Sequence, residues 1–98
     1  MSYQVDVPDA ERAYLDGLPL SPEAKQRVNR FIEQVLADIP DTFRLNHENR
    51  LGPGSPYFLA RYLLLDRWGD GHMHTLDFHV RDDMAKFGVL LIVFIDHY

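Results

Sequence analysis

The chain contains no cysteine among its 98 residues. That absence excludes disulfides and thiolate chemistry and leaves packing as the source of stability. Long apolar runs are missing too: no stretch approaches the roughly 20 residues that cross a bilayer as a helix, so no membrane partner is expected. Positive charge is scarce, with 10 Lys and Arg against 15 Asp and Glu for a net charge of −5. Nucleic-acid affinity comes largely from basic side chains that neutralise phosphates. The overall field therefore opposes RNA, and RNA contact would need a local basic patch. There is no glycine-rich phosphate loop and no serine in a recognisable nucleophile motif, so no cofactor is expected. The opening MSYQVDVPDAE has neither the basic start nor the apolar core of a signal peptide, and a cytoplasmic protein is the expectation.

What is present suits one globular domain, residues 1–98, with 46% hydrophobic residues and a real core. Tyr3, Val5 and Val7 alternate with polar residues as in a half-buried strand, which Pro8 ends. Asp9 is placed to N-cap a short helix over Ala10 to Asp16, stopped by Gly17. A second helix has stronger signals. Ser21 suits the N-cap and Pro22 the first helical position, while Ala24, Val28, Phe31, Ile32, Val35, Leu36 and Ile39 share one face before Pro40. Pro40 to Pro56 is long for a structureless connection, which makes it functional or mobile. Three strands follow: Tyr57 to Asp66, Thr75 to Arg81, and the closing run from Val89 to Ile95. That last run is apolar throughout, as in a strand covered on both faces. In the middle strand Leu76, Phe78 and Val80 face one way and Thr75, Asp77, His79 and Arg81 the other. The order predicts an α+β fold: a short N-terminal strand, two helices on one face, and a three-stranded antiparallel meander.

Few groups here carry chemistry. The apolar run stops abruptly in Asp96, His97 and Tyr98, and a histidine near its ordinary pKa of about 6.5 suits proton transfer near neutral pH. Neighbouring strand side chains point to opposite faces, so Asp96 cannot orient His97 and any carboxylate that does must come from elsewhere. His72 and His74 share a face if both lie on a strand, but no converging third and fourth ligands are evident, and no metal site is expected. Asp66, Asp70 and Gly71, with Asp77 further on, echo a calcium loop faintly. Trp68 stands where an oxygen ligand belongs, and a hairpin turn at Gly69-Asp70-Gly71 is the better reading. In the long loop Arg44, His47, Glu48 and Arg50 read mainly as solvated charges, with Glu48 a candidate general base.

The opening YQVDV strand, the ERAYLDGLP helix, the SPEAKQRVNRFIEQVLADIP helix and the final strand closing in His97-Tyr98 together resemble the RelE/ParE toxin superfamily of bacterial toxin–antitoxin modules. The likeness spans essentially the whole chain. It implies a RelE/ParE-like arrangement of the α+β fold and, from the closing His-Tyr, ribosome-dependent cleavage of mRNA by metal-free acid–base chemistry. By position, His97 would be the acid/base group and Tyr98 would contact or polarise the scissile phosphate, with His74, Arg81 and Glu48 as further site residues. Active members of the superfamily usually carry an arginine early in the second meander strand, where this sequence reads His72-Met73-His74-Thr75; His74 would stand in for it. The resemblance also implies an antitoxin peptide as partner. A second expectation is a non-catalytic module on the same fold that docks such a peptide across the sheet or helix groove. A third is gyrase inhibition, as in the ParE branch.

Overall fold

The computed structural model describes residues 2–67 and 70–98. The fold is mixed α+β, with helices packed on one face of a four-stranded sheet. Strand β1 is Gln4–Asp6, β2 is Tyr57–Leu65, β3 is Met73–Arg81 and β4 is Val89–His97. Their order across the sheet is β1-β4-β3-β2; β1 runs parallel to β4, and the other pairs are antiparallel. The short β2–β3 and β3–β4 connections allow only antiparallel pairing, whereas β1 reaches β4 after the helices have crossed the sheet. The hairpin turn expected at Gly69-Asp70-Gly71 is described only in part: Gly71 has φ +73°, and Trp68 and Gly69 lie outside the described residues.

Helix α1 is Asp9–Asp16 and α2 is Pro22–Arg30. Asp9 is the first residue of α1 rather than its cap, and lends charge, not a side-chain hydrogen bond, to the helix start. Ser21 caps α2 as expected, its Oγ accepting from the Ala24 amide at 3.1 Å. The Ser21 amide in turn donates to the buried carboxylate of Asp66 at 2.8 Å, which ties the start of α2 to the end of β2. The second helix is not α-helical to its end: Phe31–Leu36 form a wider π-helical turn. That turn changes the phase of the apolar face. Ile32 and Leu36 enter the core, while Val35, expected inside, is 53% exposed. Phe31 stacks on Tyr62 at 4.5 Å and on Phe78 at 5.6 Å.

Two further expectations need correction. The segment 40–56 is not structureless. It forms a four-residue helix, α3 (Asp41–Arg44), and a 3-10 turn at His47–Asn49, and Arg50 then bridges Phe58 at the free side of β2. Its charges are not all solvated either, because Arg44 and Arg50 both reach the carboxylate of Asp82, at 2.8 and 2.6 Å. Strand β4, in turn, is covered on one face only. Leu90, Ile92 and Ile95 are buried with Leu76, Phe78 and Val80 of β3, but Phe94 is 53% exposed on the face that carries no helix. An irregularity in the ladder lets the apolar run continue: His79 pairs with Phe94 and Val80 with Ile92, so Val93 has no partner across the strand pair.

Candidate functional site

That bulge decides where His97 and Tyr98 point. Side chains alternate along a strand, and one extra residue reverses every later side chain. Counting in twos from Leu90 and Ile92 would send Tyr98 to the helix side and His97 outward. With Val93 inserted, His97 lies opposite Leu76 on the helix side, and Tyr98, whose backbone exchanges hydrogen bonds with Thr75 at 2.7 and 3.0 Å, projects to the uncovered face. The closing dipeptide therefore serves two different clusters.

On the helix side, the Nε2 of His97 lies 2.8 Å from the Nδ1 of His74, and the Nε2 of His74 lies 3.0 Å from an oxygen of Asp70. The two rings are nearly coplanar, at 17°, with centroids 5.0 Å apart. Combined with so short a nitrogen–nitrogen distance, this sets the rings edge to edge, in line with a hydrogen bond. His74 is 7% exposed, not the solvated hairpin histidine suggested by its place near a turn. His72 lies just before β3, which begins at Met73, and its amide donates to Asp70 at 2.9 Å. That backbone bond and the bond to His74 hold the Asp70 carboxyl below its ordinary value, so it is ionised near neutral pH. Burial, aided by the neighbouring His74, lowers the pKa of His97 below 6.5.

On the uncovered face, the Tyr98 hydroxyl donates to Asp77 at 2.9 Å, and Arg61 of β2 grips the same carboxylate with two bonds of 2.7 and 3.1 Å. Arg61 chiefly, with Tyr98, holds the Asp77 carboxyl below its ordinary range despite burial. The bond to Asp77 raises the Tyr98 phenol, which therefore stays protonated as a donor. Sequence reasoning missed Arg61 and Asp77. The available signal was cross-strand opposite charge, which appears only once the β2–β3 register is known.

The other expected members lie apart. Glu48 lines a cleft with Arg50, Leu59 and Arg61, and neither His97 nor Tyr98 lines that cleft. Arg81 is paired with Asp83 at 2.7 Å at the far end of β3, seven residues from His74 or about 24 Å at the rise of a strand. It does not join His97. Among the described residues no cluster of three or more histidines and carboxylates could hold a metal ion. No helix among them is long and apolar enough to cross a membrane.

The lowered His97 pKa has a measurable consequence. As pH falls through 6.5 the unfolded chain takes up a proton before the folded one does, so the stability owed to neutral His97 is full above that value and is lost below it. The depressed carboxylates Asp70, Asp77 and Asp82 add a second loss as pH falls below their ordinary 3.8. Urea unfolding across this range is expected to show both steps in wild type. Only the lower step should remain in His97→Gln, and an unchanged upper step in that variant would contradict the assignment.

Comparison with protein-family models, curated proteins and solved structures finds no match for the chain.

Proposed function

We propose that this chain is a RelE/ParE-like toxin whose closing residues cleave RNA by acid–base chemistry. The observation that carries this reading is the hydrogen-bonded line of Asp70, the buried His74 and His97, which supplies a carboxylate-backed imidazole pair at the end of β4. In the proposed step, neutral His97 takes the proton of a ribose 2′-hydroxyl as its oxygen forms a bond to phosphorus. The bond from phosphorus to the 5′-oxygen breaks, and the same imidazole pair returns the proton to that departing oxygen. The products are a 2′,3′-cyclic phosphate and a 5′-hydroxyl, with no metal required. In this reading Tyr98, which lies on the opposite face of β4 from His97, would have to exchange its hydrogen bond to Asp77 for one to a phosphate oxygen. Induced expression in a bacterial host, read by growth and mapped mRNA 5′ ends, tests the reading. Wild type is expected to arrest growth with new 5′ ends, and a double variant His97→Ala, Tyr98→Ala at matched levels to do neither. Arrest without new ends would favour gyrase inhibition, and normal growth from soluble wild-type protein would overturn the toxin reading.

A second reading, a non-catalytic peptide-binding module, is favoured by one specific observation. Four guanidiniums that could otherwise meet a phosphate are already held by carboxylates: Arg61 by Asp77, Arg81 by Asp83, and Arg44 and Arg50 by Asp82. Meanwhile the free side of β2 adjoins an open apolar groove of about 400 Å³ lined by Phe31, Val35, Ile39, Phe43 and Ala60. An extended antitoxin-like segment could add there as a strand and seat alternate side chains in the groove.

A further inference from the structure

The hydrogen-bond roles within the histidine pair follow from the groups at its two ends. Asp70 is ionised and can only accept, so the Nε2 of His74 must carry a proton towards it. While the pair is neutral, the Nδ1 of His74 is then a bare lone pair, and the Nε2 of His97, 2.8 Å away, must be the donor. A neutral imidazole carries one proton, so the Nδ1 of His97 is left as a lone pair. When the pair takes up one proton, His74 becomes a donor at both nitrogens, and His97 switches tautomer to present Nδ1–H. The charge then rests between Asp70 and His97, next to the only carboxylate in the line. A second proton would leave two donors facing each other at 2.8 Å, which the geometry forbids.

We propose that Asp70 and His74 are positioning residues that set the tautomer of His97, so that its Nδ1 is a base while the pair is neutral and an acid once the pair holds one proton. This deepens the nuclease reading and rests on it for the substrate, but the tautomer assignment stands independently of that reading. The pair then accounts for how one imidazole can both take and return a proton: the relay stores it one ring further in, against Asp70. Besides His74 itself, the groups whose charge acts on His97 are Asp70 in the turn before β3 and Asp96 on β4, and His72 stands beside Asp70. Asp96 is exposed and on the opposite face of β4, so Asp70 is the one positioned to act through the ring line.

The test is long-range nitrogen–proton NMR of the histidine rings in the full chain, followed across pH. Wild type is expected to show His97 protonated at Nε2 and bare at Nδ1 in the neutral pair, and to take up a single proton shared by His74 and His97. Asp70→Asn keeps an oxygen acceptor but removes the charge, so the same tautomer should persist while the shared titration moves to lower pH. His74→Gln should release His97 to a mixture of tautomers. In cleavage assays Asp70→Asn should shift the pH profile in the same direction, whereas a purely structural loss would lower activity at every pH alike. His97 found protonated at Nδ1 in the neutral pair, or two histidines that each take up a proton independently, would overturn the relay. Failure to cleave RNA in a protein with the expected tautomers would overturn the nuclease reading and leave the relay standing.

Discussion

Asp82→Asn is expected to cost about 3 to 5 kcal/mol of folding free energy, the usual loss when one member of a buried ion cluster is removed. The Asp82 side chain is only 4% exposed and is met by Arg44, 13% exposed, and Arg50, 17% exposed. Burial alone would raise its pKa, but the two guanidiniums outweigh burial and hold it below the ordinary value. Removing its charge leaves two cations facing each other with little solvent to screen them. Arg50 also donates to the carbonyls of Arg44 and Ser55, so the whole segment 41–56 hangs on this cluster. Urea unfolding should show the loss, and amide exchange should show segment 41–56 loosening while β3 and β4 keep their protection. A cost below about 1 kcal/mol, the range of surface pairs, would mean that the cluster is solvated in solution.

His97→Gln is expected to lower RNA cleavage by about 100- to 10,000-fold, the usual contribution of a positioned acid or base. The change leaves the fold intact at neutral pH, because glutamine can still donate to the Nδ1 of His74. Tyr98→Phe should cost less, since it removes a hydroxyl that is held by Asp77 on the opposite face of β4 and carries no proton transfer. Equal losses in the two variants would contradict the division of labour between the two faces of β4.

Much of the architecture could be read in the residues, because it depends on short-range patterns. Leu76, Phe78 and Val80 are fully buried and their odd-numbered neighbours lie on the opposite face, as the alternation of β3 requires. Ser21 and Pro22 mark the start of α2 as their chemistry demands. The candidate site was less legible because it depends on register. Nothing in the run from Val89 to Ile95 announces a bulge at Val93, yet that bulge places His97 beside His74 and Tyr98 beside Asp77. Arg44 and Arg50 looked like solvated loop charges because their partner, Asp82, lies more than 30 residues away. Val35 was misplaced because a helix that widens after Arg30 no longer follows the spacing that assigned it to the core.

The most direct test of the central claim is to incubate purified protein with end-labelled mRNA, both free and on translating ribosomes, and to identify the chemistry of the cut ends. Discrete cuts that leave a 2′,3′-cyclic phosphate and a 5′-hydroxyl, and that vanish in His97→Gln, are the predicted result. Intact RNA in both settings, from folded protein, would contradict the nuclease account and turn attention to the groove beside β2.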